Sequence, residues 1–134
     1  MVQVVDANIK SVPKNVYRVV RSFIESSMKD QYHWNVGVKV GEEVTFTKMN
    51  KWRLTVLRNQ CTAVLTSPHD VEIVYKQCSD KLLEIRHRGK VELEIFSMED
   101  AIKTYVTADV QYATPLPLID LVAKIQYYLS AACK

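Results

Sequence analysis

The chain reads as α+β: a curved antiparallel β-sheet wrapped around a long C-terminal α-helix, with one or two short helices after the first strand. Three observations predict this. Apolar residues recur at helical spacing after Pro13 and again over 114–133. Between those stretches, from Val36 onward, the apolar period changes to two. The separators within that region are short, and short links join antiparallel neighbours, since parallel ones need crossovers of a dozen or more residues.

The elements follow in order. Residues 2–10 are rich in valine and alternate loosely, as a strand does. Ser11-Val12-Pro13 supplies a helix start, with Ser11 as N-cap and proline in the first turn. Val16, Val19, Val20, Phe23 and Ile24 then share one helical face, opposite Lys14, Arg18, Arg21 and Glu25. A second short helix is expected within 26–34. Strands are expected at 36–40, 43–49, 52–58, 61–67, 71–77, 81–88, 90–97 and 101–112, separated by turns such as Pro68-His69-Asp70, Gly89 and Met98-Glu99-Asp100. In the last helix, Leu118, Leu121, Val122, Ile125, Leu129 and Ala132 form one stripe, with Asp120, Lys124 and Tyr127 opposite.

Strand parity names the inward face. It holds Val71, Ile73 and Tyr75, then Leu83, Ile85 and His87, then Val91, Leu93 and Ile95, then Ile102, Thr104, Val106, Ala108, Val110 and Tyr112. Cys61, Ala63 and Leu65, Leu54 and Val56, and Val44 and Phe46 complete it. Glu72, Lys76, Glu84, Arg86, Arg88, Glu92 and Glu94 take the opposite, watery side.

With 134 residues, the chain is a single domain spanning 1–134, long enough to bury a core without staples. A net charge of +3 is too small for a nucleic-acid partner, which needs cations gathered on one face. The densest basic run, Arg86-His87-Arg88-Gly89-Lys90, reads as a solvated strand end rather than a phosphate site. Cys61, Cys78 and Cys133 are odd in number and lack metal spacing, so neither disulfides nor a zinc site is expected. The opening Met-Val-Gln-Val-Val-Asp has no signal-peptide pattern, and no stretch approaches the roughly 18 apolar residues of a membrane span. The expected compartment is the cytoplasm.

No Ser-His-Asp order, Gly-x-Ser-x-Gly elbow or His/carboxylate cluster is present, so no catalytic residue, metal or cofactor is assigned. His87 with Tyr75 on the neighbouring strand remains open as a general acid/base and its orienting partner. His33-Trp34 is read as an aromatic plug or a gate, and Cys78-Ser79-Asp80 as a hairpin turn.

The order of elements, together with Ala7-Asn8-Ile9-Lys10-Ser11-Val12-Pro13 leading into Val16-Tyr17, resembles the helix-grip superfamily, often called SRPBCC. That superfamily includes START lipid-transfer domains, the birch-pollen-allergen group and polyketide cyclases. The chain has only Gly37, Gly41 and Gly89 and no glycine-rich loop after its second strand, and it is most similar to a small microbial branch. The resemblance implies a cavity between sheet and C-terminal helix for a hydrophobic or amphipathic small molecule.

The expected polar groups of that cavity are Tyr75, His87, Thr104 and Tyr112. Its expected apolar wall is Phe46, Ile73, Leu93, Val122, Ile125 and Leu129. Two alternatives stand beside the binder: a cyclase- or dehydratase-like enzyme using a cavity His or Tyr, and a protein-interaction module whose core is filled.

Overall fold

The computed structural model describes residues 8–29, 35–40, 43–48, 52–57, 61–67, 69–77, 79–109 and 111–132. His33, Trp34, Cys78, Val110 and Cys133 fall outside them, as do residues 2–7 of the expected first strand and the side chains of Val44, Phe46, Tyr128 and Ala132. The order is β1 (Asn8–Val12), α1 (Lys14–Lys29), β2 (Asn35–Val40), β3 (Glu43–Lys48), β4 (Trp52–Leu57), β5 (Thr62–Thr66), β6 (Val71–Lys76), β7 (Leu83–His87), β8 (Lys90–Ile95), α2 (Met98–Lys103), β9 (Thr104–Ala108), β10 (Leu116–Pro117) and α3 (Leu118–Ala132). No helix among the described residues is long and apolar enough to cross a membrane.

Strands β2 to β8 form a seven-stranded antiparallel meander in sequence order, as the short separators predict. Its register aligns the inward residues into two rows. One row runs Leu54, Leu65, Ile73, Ile85, Leu93, and Phe46 extends it by pairing with Leu54. The second runs Val56, Ala63, Tyr75, Leu83, Ile95. The hairpin between β7 and β8 is a two-residue turn. Arg88 (φ 53°) and Gly89 (φ 79°) both take the left-handed region that a type I′ connection needs, and this fixes the pairing of His87 with Lys90.

Beside the meander lies a second sheet, ordered β1-β9-β10, in which β1 runs parallel to β9. Ser11 is therefore a strand residue paired with Thr107, not the helix cap. The first turn of α1 closes instead with the Tyr17 N–H donating to the Pro13 carbonyl at 3.0 Å. Residues 26–29 belong to α1 rather than to a second helix; 30–34 lie outside the described residues.

The expected strand 101–112 is corrected more deeply. Residues 98–103 are helix, started by Ser97, whose Oγ accepts from the Asp100 N–H at 3.1 Å, and ended by Thr104, whose Oγ1 donates to the Asp100 carbonyl at 2.6 Å. Ile102 is consequently exposed, while Thr104, Val106 and Ala108 keep the inward parity of β9. The chain turns after Ala108, and Tyr112 stands 90% exposed.

The last helix starts at Leu118 rather than at Thr114. Residues preceding proline are pushed toward extended backbone. That holds Thr114 and Leu116 before Pro115 and Pro117, and Leu116–Pro117 pairs with β9. One face assignment changes, and one outer residue is shielded from the water it was expected to face. A bulge in β8 sets Ile85 opposite Leu93 but Arg86 opposite Val91, which turns Val91 outward. Glu84 does lie on the outer face, yet it is buried, because Lys81 and Arg86 close over it.

Helices α1 and α3 pack on each other, α1 against β6 and β9, α3 against β5 and β9, and α2 against α3. Val16, Val19, Val20 and Phe23 of α1 join Leu118, Leu121, Val122 and Ile125 of α3 and both sheets in one apolar cluster. Each fully buried side chain of this size contributes about 1.5–3 kcal/mol. Tyr17, through its hydroxyl donating to the Thr114 carbonyl at 2.8 Å, ties α1 to the segment that launches α3.

Candidate functional site

The expected apolar lining is brought together by the fold. Ile73, Leu93, Val122, Ile125 and Leu129 all belong to the core cluster. A side chain bordering a hollow large enough for water keeps some accessible surface. Ile73, Tyr75 and Val122 keep 0% and Ile125 keeps 1%, so the middle of the sheet–helix contact is filled by protein atoms. Phe46 takes its place in register beside Leu54.

The expected polar groups are scattered. Thr104 is occupied in closing α2, and Tyr112 lies on the surface, away from the inward set. His87 pairs with Val71 whereas Tyr75 pairs with Leu83. At about 3.4 Å per strand residue the two are separated by roughly 13 Å, so Tyr75 does not orient His87. The His87 Nε2 atom is buried and makes no hydrogen bond among the described residues. Tyr75 is the expected polar residue bonded to the last helix: Gln126 of α3 donates from Nε2 to its hydroxyl at 3.0 Å.

That pair stands where α3 passes the end of the sheet. Successive turns place Gln126, Leu129 and Ser130 on neighbouring positions of one helix face. Opposite them the sheet contributes Cys61 and Gln77, held together because the Gln77 N–H donates to the Cys61 carbonyl at 3.0 Å. Cys61 reaches this position with φ 49°, bending the chain as it enters β5. Among the described residues these five line a groove of about 350 Å³ that is open to solvent on one side, within the roughly 300–1,000 Å³ range of small-molecule sites. Leu129 is its apolar floor, and two carboxamides and a hydroxyl are its polar rim.

Of these residues the sequence pattern singled out only Leu129 as a binding residue. The signal that points to the others is Gln126. It follows Val122 by four residues and precedes Leu129 by three, so it interrupts the apolar stripe with a group that needs a hydrogen-bond partner when covered.

The outer face of β6 to β8 is self-neutralised. Lys81 donates to Glu84 at 2.8 Å and lies 3.2 Å from Glu94, while Arg86 contacts Glu84 and lies 3.9 Å from Glu72. The hydrogen bond from Lys81 holds the Glu84 carboxyl below its ordinary value. Burial pushes the other way, and Arg86 adds to the lowering. The basic run 86–90 is thus divided: Arg86 is ion-paired, His87 faces inward, and Arg88 and Gly89 form the turn. Among the described residues, no three His, Cys, Asp or Glu side chains are grouped to hold a metal ion.

No family model matches the chain, no curated protein matches it, and no solved structure matches it.

Proposed function

We propose that this chain is a helix-grip binding domain that takes up a small amphipathic molecule in the groove formed by Cys61, Gln77, Gln126, Leu129 and Ser130. One observation carries the reading: the groove opens where α3 leaves the filled core, and its polar wall is anchored to a fully buried side chain, Tyr75. Burial of ligand surface against Leu129 supplies affinity at about 25 cal/mol per Å², and the amides set orientation. A cytoplasmic location belongs to the same proposal. The enzyme alternative draws less support, because His87 and Tyr75 stand apart in register.

The filled middle of the contact favours a second reading, a protein-interaction module. One titration separates the two. N-phenylnaphthylamine, an uncharged fluorophore, is added to wild type and to Ser130→Trp, which fills the groove from an exposed helix position. The expected result is saturable binding to wild type, weakened at least about tenfold in the variant, with unchanged melting temperatures. Equal binding by both, or none by wild type, removes the groove as a ligand site and leaves the interaction module.

A further inference from the structure

Resting on the reading of the groove as a ligand site, we infer that it selects an uncharged amphipath, an alkyl chain ending in an alcohol or a carboxamide, and that Gln126 is the selecting residue. The described lining holds no carboxylate, ammonium or guanidinium group. An ionised head drawn against these residues gives up part of its water and meets no opposite charge among them, which costs more than drawing in a hydroxyl or amide whose hydrogen bonds are replaced. The nearest cation in sequence, Lys76, lines a separate hollow on the outer face with Lys81, Glu84 and Arg86. Alternation along β6 therefore keeps charge off the groove side.

Gln77 and Gln126 each carry a donor and an acceptor on one side chain, as an alcohol or a primary amide does. The two differ in how firmly they are held. Gln77 is exposed, whereas Gln126 is half-buried and fixed by its bond to the Tyr75 hydroxyl. That bond uses one of its two N–H groups and leaves the carbonyl oxygen and the second N–H for a ligand. Tyr75, packed on all sides in the core, is a positioning residue: it sets the plane of the Gln126 amide and touches the ligand only through it.

The test is displacement of bound N-phenylnaphthylamine at neutral pH by octanol, octanamide, octanoate and octylamine, which share a chain and differ in the head. Octanol and octanamide are expected to displace the probe at concentrations at least about tenfold lower than the two ions. Gln126→Met, which keeps helix propensity and length, and Tyr75→Phe, which keeps the ring, are each expected to cut that preference several-fold while the probe itself still binds. Loss of preference with retained probe binding is a change that a purely structural role would not produce.

Octanoate or octylamine matching octanol overturns the inference and leaves the groove standing. So does a preference unchanged in Gln126→Met and Tyr75→Phe, or probe binding that none of the four compounds displaces. Failure of wild type to bind the probe overturns the groove reading and the inference together.

Discussion

Alternate residues of β6 and β7 build two faces that treat water in opposite ways. Val71, Ile73, Tyr75, Leu83 and Ile85 face the helices and keep 0–1% of their surface. Glu72, Glu84 and Arg86, from the same strands, form an ion-paired lattice with Lys81 and Glu94 on the other side. The inner face is filled with carbon at its centre, and the hollow over the outer one is lined by paired charges. Space is left at the end of the inner face, where Gln126 replaces an aliphatic residue in the stripe of α3 and the packing opens.

The largest expected effect comes from breaking the closed face. Ile125 is 1% exposed within the apolar core cluster. Ile125→Asp places a carboxylate there without a partner and is expected to cost more than about 4 kcal/mol, leaving the chain unfolded at temperatures where wild type is native. Circular dichroism during urea titration measures this. A variant that unfolds at the wild-type midpoint shows that α3 does not close the inner face.

A second substitution sharpens the boundary between closed middle and open end. Val122 lies one helical turn before Gln126 and has no accessible surface. Val122→Trp overpacks a dense core and is expected to cost about 1–3 kcal/mol, whereas Ser130→Trp, two turns later, is expected to leave the melting temperature where it was. Thermal melts of the two variants give the contrast. A Val122→Trp protein as stable as wild type reveals free space in the middle of the contact and moves the ligand site inward.

Much of this division was legible in the residues, and what was not had specific physical causes. Parity in β6 and β7 came through intact because no bulge interrupts their pairing, from Val71 with His87 to Tyr75 with Leu83. The bulge in β8 was silent. Val91 is apolar on either face, so nothing in composition told that it had turned outward.

Residues 101–108 alternate equally well as the end of a helix followed by a strand. The sign of α2 was the Ser97-x-x-Asp100 spacing, a capping pattern that outweighs alternation over six residues. The groove was the least visible part. Its residues come from the start of β5, the end of β6 and the last turns of α3, and only the polar break at Gln126 marks it in the linear sequence.

The smallest expected effect tests the outer face through pH. Lys81 donates to the 9%-exposed Glu84 carboxylate at 2.8 Å while keeping 35% of its own side chain in water. That contact holds the Glu84 carboxyl below its ordinary value, so folding favours the ionised form. Its stabilisation is fully present above the unfolded value, about 4.3 for glutamate, and is lost as pH falls through the lower folded value. The Lys81 ammonium is raised by its hydrogen bonds to Glu84 and Glu94, so its share persists through neutral pH and is lost only as alkali passes the folded lysine value. Lys81→Met removes the lysine's own shift and the larger share of the lowering at Glu84, leaving that of Arg86. The melting temperature of this variant is expected to fall slightly below wild type at neutral pH and to converge on it as the solution is acidified, because protonated Glu84 no longer distinguishes the two proteins. Half-exposed ion pairs are screened by water, which keeps the effect small. Methionine keeps an apolar stem of similar length, so a gap between wild type and Lys81→Met that stays constant from neutral to acid pH, or no gap at neutral pH, means that the contact with the Glu84 carboxylate contributes nothing and that the outer face is not held by charge.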